Sequence, residues 1–153
     1  MPPVFRNDPY PAYNFEVIVT GISDEGASVR GSFSEVSGLD AGIVPIEYRT
    51  GSEPNRVRKL PGLSKFSNLV LKRGIIGDLA FWNWLVHAMQ GNVQRTTVTI
   101  VLLDESRNPV MRWNFVRAWP CKWIGPVLNA KSNEIAIETL EICHAGISVD
   151  GQA

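Results

Sequence analysis

The sequence predicts a mainly β fold, with antiparallel strands arranged as a sandwich or a barrel and one flanking α-helix. Apolar and polar residues alternate in several short stretches, such as residues 13–20 and 96–103. The period changes to about 3.6 residues in one convincing stretch, between Asp78 and Gly91. The predicted strands mostly follow one another along the chain, which favours antiparallel pairing between neighbours.

Length and composition predict a single domain spanning residues 1–153. A chain of 153 residues is long enough for one domain with its own core. Because 15 basic residues balance 15 acidic ones, neither an acidic tail nor a globally basic nucleic-acid-binding protein is indicated. No stretch has the apolar core of a signal peptide or the roughly 18 apolar residues of a membrane span. We therefore expect synthesis in the cytoplasm and no insertion of the subunit into a membrane.

The strands are placed by alternation and by turn residues. Residues 1–11 contain four prolines and are expected to form an extended N-terminal arm. Along the last predicted strand the apolar residues change parity, which predicts a β-bulge near Glu138–Thr139. Strands are predicted at residues 13–20, 29–36, 43–49, 66–73, 96–103, 110–119 and 133–144, with 110–119 returning along 96–103 as a hairpin.

Residues 43–63 are expected to project from the domain as a hairpin or loop. Pro45 lies within the strand predicted at residues 43–49, and proline is excluded from the centre of a sheet because it cannot donate a ladder hydrogen bond. A loop is expected to follow over residues 50–63. We interpret the whole segment as an arm that leaves its own subunit to contact a neighbour.

Basic residues are concentrated around this arm. Residues 47–73 contain seven basic and two acidic residues, a net charge of +5, so the remainder of this neutral chain carries −5. The segment could bind a phosphate backbone, although Phe66 is the only aromatic residue between Arg49 and Arg73, which weakens a case for base stacking. It could instead meet an acidic surface on a neighbouring copy. We favour the second alternative because the rest of the same chain is acidic.

The predicted helix is apolar around most of its circumference. Asp78 is its predicted N-cap and Gly91 its C-terminal stop. A helix this apolar must be covered on several sides. The segment 113–123 holds three tryptophans, which is typical either of an interface centre or of an ordinary core. One predicted helix stripe comprises Leu79, Trp82, Leu85, Val86 and Met89, and a second comprises Phe81, Trp84 and Ala88.

No set of residues predicts catalysis, a cofactor site or a metal site. The two histidines have no second ligand at a spacing suited to metal binding. The two cysteines lie in apolar stretches and fit a reduced protein better than a disulfide framework. Acidic neighbours occur only in predicted turns, where solvated charge is the default. The side chains considered are His87, His144, Cys121, Cys143 and the acidic pairs at 24–25 and 104–105.

Nine segments spread over nearly the whole chain form a recognisable series. They are residues 8–15, 33–40, 46–49, 59–63, 71–74, 102–105, 113–115, 118–120 and 128–141. In this order they resemble the tail-tube family of contractile phages and of phage-derived contractile injection systems. The resemblance implies the tail-tube fold, with hexameric rings whose inner strands join into one continuous β-barrel. It also implies that no active site is present.

The resemblance implies partners and a location as well. The rings would stack inside a contractile sheath and meet a baseplate and tube-initiator or terminator proteins. DNA or a protein effector would pass through the lumen, and the tube would belong to a virion tail or to a released or membrane-anchored injection particle. The alternative is a secreted effector carrier related to the tubes of type VI secretion, which share the architecture.

Candidate interface residues come from the arm, the helix and the tryptophan-rich segment. An enzyme with a barrel pocket is the third and least favoured class, because no convergent acid, base and nucleophile can be named. The residues expected at interfaces are Tyr48, Arg49, Arg56, Arg58, Lys59, Trp82, Trp84 and Trp119.

Overall fold

The computed structural model of the chain describes residues 3–21, 29–31, 33–51 and 55–149. It confirms a mainly antiparallel β fold with one helix. The strands are β1 (Phe15–Val19), β2 (Val29–Gly31), β3 (Glu35–Ser37), β4 (Ala41–Tyr48), β5 (Arg58–Phe66), β6 (Leu69–Gly74), β7 (Thr96–Leu103), β8 (Pro109–Ile124), β9 (Ile137–Cys143) and β10 (Gly146–Val149), and the helix is α1 (Ala80–Met89).

Two sheets of unequal size make up the described part of the chain. The larger has eight strands in the order β2-β1-β7-β8-β9-β6-β3, with β10 also pairing with β8. The smaller is a ribbon in which β4 and β5 pair only with each other. The predicted hairpin of β7 and β8 is confirmed, with Ile100 opposite Trp113.

β8 links the two halves of the larger sheet. Its first part pairs with β7 on one side and with β10 on the other, whereas residues 119–124 pair with β9. The change follows a register shift in which β8 has one extra residue, and Arg117 there adopts a positive φ of 54°. An extra residue with left-handed backbone bends and twists a strand locally. The bend lets the single strand β8 serve both halves.

One face of the larger sheet packs against the inner face of α1. Phe81 and Trp84 of the helix are each 2% exposed. The Nε1 atom of Trp84 donates a hydrogen bond of 2.9 Å to the carbonyl oxygen of Gln94, which satisfies its one polar atom. The core comprises Val17, Val19, Phe33, Leu69, Leu71, Phe81, Trp84, Val98, Ile100, Phe115, Ala118, Leu140 and Ile142.

The helix ends before Gly91, as the sequence predicts, but its N-cap is Leu79 and not the predicted Asp78. The amide of Ala80 donates to Oδ1 of Asp78 at 2.9 Å, so this carboxylate satisfies one of the free N–H groups of the first turn. At the other end, Gly91 has a φ of +89°, the left-handed conformation that commonly follows a helix and that glycine adopts without strain.

The residues before β1 are held to the turn between β7 and β8 by Arg6. Its guanidinium donates two hydrogen bonds of 2.7 and 2.9 Å to the Glu105 carboxylate. It also donates to the carbonyl oxygens of Asp8 and Pro9, at 2.8 and 2.9 Å, and lies 3.9 Å from the centre of the Tyr10 ring. The described part of the N-terminal arm is therefore tied to the β7–β8 turn.

The prediction of a loop over residues 50–63 is wrong, because β5 begins at Arg58. Pro61 lies opposite Pro45 in the ribbon. Proline is tolerated there because each strand of a two-stranded ribbon has one edge with no ladder hydrogen bonds to lose. A Cβ atom added at Gly62 would lie 2.3 Å from the carbonyl oxygen of Val44, so the close approach of the two strands requires glycine.

The bulge expected near Glu138–Thr139 is also wrong. β9 pairs with β6 without a register shift. The apolar parity changes because Glu138 is buried in phase with Leu140 and Ile142. The irregularity on this side of the sheet lies in the partner strand instead, where β8 has one extra residue at Cys121.

Several predicted strands have different boundaries in the structure, and the one expected over residues 110–119 extends to Ile124. The one expected over residues 133–144 begins only at Ile137, and β10 after it was not predicted. The strand expected over residues 29–36 is divided into β2 and β3, and the one expected over residues 66–73 is the end of β5 followed by β6.

Candidate subunit interfaces

The outer face of α1 is apolar and largely uncovered. Leu79 and Met89 are 61% and 64% exposed, and Trp82 is 40% exposed. Trp82 packs edge-on against Trp123 of β8, with 5.1 Å between the ring centroids. We call Leu79, Trp82, Met89 and Trp123 the helix patch. Its helix residues come from the first predicted stripe, but Leu85 of that stripe is buried together with Phe81 and Trp84 of the second.

The segment between β8 and β9 adds more exposed apolar surface. Val127, Leu128 and Ile135 are 91%, 83% and 79% exposed. Val127 and Ile135 line one shallow groove together with Lys72 and Glu35. Single exposed apolar side chains are ordinary on a monomer, whereas adjacent ones mark an interaction surface.

The β4–β5 hairpin is the most exposed secondary structure of the described chain. All eight residues of β4 are exposed, and Leu63 of β5 is 83% exposed. Ile46 lies opposite Leu60, which places two apolar side chains side by side. Because an isolated two-stranded hairpin is at best marginally stable in water, its apolar side chains need a covering partner.

Seven of the eight predicted interface residues lie in three places. Five are exposed and belong to the hairpin or to the residues that connect its strands, with Tyr48 opposite Arg58 and Lys59 opposite Glu47. Trp82 belongs to the helix patch. Trp119 lies half-buried on β8, opposite Cys143 of β9. The hairpin residues of the set are Tyr48, Arg49, Arg56, Arg58 and Lys59.

Trp84 is a correction to that set. Its side chain is 2% exposed and packs in the core of its own subunit, so it has almost no area left for a neighbour. The helix has two apolar stripes, and the sequence alone does not tell which of them faces inward.

A buried ion pair beside the helix patch was missed. Arg73 of β6 donates through Nε to Oε1 of Glu138 on β9, and its Nη1 lies 3.6 Å from Oδ2 of Asp78. The guanidinium carbon also lies 4.4 Å from the centre of the Phe81 ring. Glu138 Oε2 accepts a second hydrogen bond of 3.1 Å from Nε1 of Trp123. The pair therefore joins two strands, the start of α1 and the helix patch.

A signal for this pair does exist in the sequence. Arg73 continues the buried parity of Leu69 and Leu71 in β6, and Glu138 has the parity of Leu140 in β9. Opposite charges on the inward face of adjacent strands indicate a paired site, because an unpaired buried charge costs too much.

The chemistry of the described residues is sparse. They contain no group of three or more His, Cys, Asp or Glu side chains placed to hold a metal ion. Burial, assisted by a hydrogen bond with Cys143, raises the pKa of the Cys121 thiol to about 12. A thiol with this pKa is almost fully protonated at neutral pH and is a poor nucleophile. Within the described ranges, no helix is both long enough and apolar enough to cross a membrane.

Solved structures with the same fold come from contractile injection machines. A chain of the PVC sheath–tube complex, an extracellular contractile injection system in its extended state, is 30% identical, with 93% of this chain and 91% of that chain covered and a TM-score of 0.79. A chain of the anti-feeding prophage (AFP) baseplate is 26% identical, with coverage of 95% and 98% and a TM-score of 0.83.

More distant likeness extends to Hcp1 from Flavobacterium johnsoniae. The two chains are 15% identical, with coverage of 92% and 97% and a TM-score of 0.54, so the likeness concerns the fold alone. No curated protein sequence gives a significant match.

The family comparison covers most of the chain. Residues 11–148 match the family model described as T4-like virus tail tube protein gp19. The matched range includes every strand from β1 to β9, the hairpin and the helix patch. The chain therefore belongs to the T4-like tail tube protein family.

Proposed function

We propose that this protein is a structural, non-catalytic subunit that assembles into hexameric rings, and that the stacked rings form the inner tube of a contractile injection apparatus. The apparatus is a phage tail, a tailocin or an extracellular injection system. The observation that carries the proposal is the uncovered apolar surface of a tail tube family member, namely the helix patch and the β4–β5 hairpin. A ring covers such surfaces with copies of the same chain.

Ring assembly also explains how the open edges of the sheets are protected. Exposed strand edges promote uncontrolled association, and closing strands around a ring removes those edges. A head-to-tail interface yields a closed ring when its rotation closes. The AFP baseplate structure is described as six-fold symmetrised, which supports six copies per ring. The inner strands of the six copies would form one continuous barrel around the lumen.

The partners follow from the machines to which the chain is similar. One relative comes from a sheath–tube complex and another from a baseplate, which supports a sheath around the tube and a baseplate at one end. A tube initiator and a terminator complete the assembly. The lumen conducts DNA or a protein effector.

A secreted tube protein that carries effectors is the alternative. It has weaker support, because the likeness to Hcp1 is confined to the fold at 15% identity. The relatives at 26% and 30% identity belong to particles with a baseplate or a sheath. We therefore favour a tube enclosed by a sheath.

The proposal predicts that the purified protein forms rings or tubes. Light scattering and electron microscopy should detect them as the concentration is raised, because association covers the helix patch and the hairpin.

A variant that lacks residues 51–56 should remain folded by circular dichroism and fail to extend tubes. A single species of the subunit mass, 17.0 kDa, at high concentration and at every salt concentration would contradict the proposal.

A further inference from the structure

The two ends of the β4–β5 hairpin meet at one point on the larger sheet. Ala41, the first residue of β4, lies opposite Phe66, the last residue of β5. Asp40 precedes the first and Ser67 follows the second. The amide of Ser67 donates to Oδ1 of Asp40 at 3.1 Å, which closes the base of the hairpin.

His144 connects this base to the sheet. It directly follows β9, and its Nε2 atom lies 2.9 Å from the carbonyl oxygen of Ser67. Because a carbonyl oxygen can only accept, Nε2 must carry the proton. The ring packs edge-on against Phe115 of β8, with centroids 4.8 Å apart, and lies 5.9 Å from the ring of Phe66. One imidazole therefore contacts β8, the last residue of β5 and the residue that follows it.

The other ring nitrogen of His144 makes no hydrogen bond with any residue that the structure describes. Nδ1 of His144 is buried and has no hydrogen-bond partner in the described structure. An unpaired buried acceptor has an energetic cost, so the interactions on the Nε2 side must offset it. The surroundings of His144 thus select one orientation and one tautomer of the ring.

No strand pairing connects the hairpin to the larger sheet, because β4 and β5 pair only with each other in the described chain. A cleft of about 450 Å³ also borders the base, lined in part by Asp40, Lys65 and Ser67. The direction of the hairpin is therefore set mainly where it leaves the sheet.

We propose that His144 is a positioning residue, which with Asp40 and Ser67 forms a pivot that fixes the direction in which the hairpin projects. The pivot keeps the hairpin aimed at a neighbouring copy before contact is made, so less conformational entropy is lost on association. This consequence for assembly rests on the proposed function, whereas the pivot itself is a property of the single subunit.

The pivot can be tested in the full chain below its assembly concentration. Spin labels are attached at Asn55→Cys in the hairpin and Ser106→Cys in the β7–β8 turn, with Cys121 and Cys143 replaced by serine, and the distance distribution is measured. His144→Met should broaden the distribution about twofold, since local order is lost where few contacts hold a segment. His144→Gln, which keeps an Nε2 donor, should retain the narrow distribution. The matched control is His87→Met, because His87 is exposed on α1.

Three outcomes separate the pivot itself from its role in assembly. An unchanged distance distribution in His144→Met overturns the pivot. If the distribution broadens and tube growth slows, with both restored by His144→Gln, the pivot and its role in assembly are supported. If it broadens and tube growth is unchanged, the pivot stands and its role in assembly is refuted.

If His144→Met does not fold, the pivot can still be tested on the imidazole of His144 in the wild-type protein. The ¹⁵N chemical shifts of the two ring nitrogens report which of them carries the proton. A proton on Nε2 of His144 supports the pivot, and a neutral ring with its proton on Nδ1 overturns it, because Nε2 could not then donate to Ser67.

Discussion

Two buried charges show how single residues hold this fold together. Arg73 and Glu138 are charged, yet they have only 3% and 9% of their surface exposed. The ring of Phe81 lies against Arg73, and Trp123 lies against Glu138. Replacing a buried ion pair with well-packed apolar residues is often neutral, whereas removing one partner leaves an uncompensated charge. The loss of either partner should therefore lower the free energy of unfolding much more than the replacement of both by apolar residues.

Arg73→Met should destabilise the subunit by about 3–5 kcal/mol, because Glu138 would remain buried with Trp123 Nε1 as its main donor. Denaturant unfolding of the dissociated subunit, followed by tryptophan fluorescence, measures the change. The matched control is Lys72→Met, the adjacent residue, whose exposed pair with Glu35 at 3.7 Å is worth at most about 1 kcal/mol. Equal losses in the two variants would contradict this account, and Arg73→Met combined with Glu138→Met should recover much of the loss.

At the scale of elements, the Arg6–Glu105 ion pair helps to hold the N-terminal arm, together with the hydrogen bond from the amide of Val4 to the carbonyl oxygen of Val110. The hydrogen bond from Arg6 lowers the pKa of Glu105 from 4.5 to about 2. A depressed carboxyl pKa means that the ionised form is favoured in the folded state. The stabilisation is therefore present above pH 4.5 and is lost as the pH falls towards about 2. Because the Glu105 side chain is exposed and that of Arg6 is only half-buried, salt should weaken it.

Arg6→Gln should return the pKa of Glu105 towards 4.5, because its principal hydrogen-bond donor is removed. Titration of the Glu105 carboxyl carbon by NMR measures the value directly. Arg107→Gln is the control, since it removes a cation from the same turn without touching that hydrogen bond. The arm is not tied by this pair if Glu105 titrates identically in the wild type and in Arg6→Gln.

Elements with one clear period could be predicted from the sequence, and those that break a local rule could not. The end of α1 at Gly91 and the β7–β8 hairpin follow from local residues, whereas the N-cap was predicted one residue early, at Asp78. β5 was missed because Pro61 and Gly62 argue against a strand, and only its pairing in an isolated ribbon permits them. The parity change in β9 could not be explained from that strand alone. Glu138 faces inward because Arg73 on the neighbouring strand pairs with it.

The candidate interfaces were predictable to a similar degree. The basic hairpin residues are exposed, as expected for a charged segment. Trp82, another predicted interface residue, is also exposed, in the helix patch. Trp84 was placed wrongly because both helix stripes are apolar and only tertiary packing decides between them. The role inferred for His144 depends on its contact with Ser67, 77 residues away in the chain, which no local pattern reveals.

For the whole molecule, the uneven distribution of charge should affect assembly more than the net charge of zero does. Residues 47–73 carry +5 and the remainder −5, and Arg56 and Arg58 are both exposed. Each exposed pair between copies contributes only about 0.2–1 kcal/mol. A polymer repeats the same contact in every subunit, so small contributions accumulate along the tube.

Assembly should therefore slow as salt is raised, since the Debye length falls from about 10 Å at 0.1 M to about 3 Å at 1 M. At low salt, Arg56→Glu combined with Arg58→Glu should assemble more slowly than the wild type in a light-scattering assay. Arg95→Glu combined with Arg107→Glu changes the net charge equally and lies outside the hairpin. If the hairpin variant assembles at the wild-type rate and loses bound nucleic acid instead, the segment lines the conduit.

The pairing of β1 with β7 has a consequence for the synthesis of the chain. Phe15 lies opposite Leu102, so β1 leaves the ribosome long before its partner has been translated. At about 5–20 residues per second, the interval is roughly 4–17 seconds. Throughout it, Val17 and Val19 lack the strand beside which they are finally buried. The nascent subunit is consequently exposed to aggregation at its N-terminal end, and chaperones that hold extended apolar segments should raise the yield of folded protein.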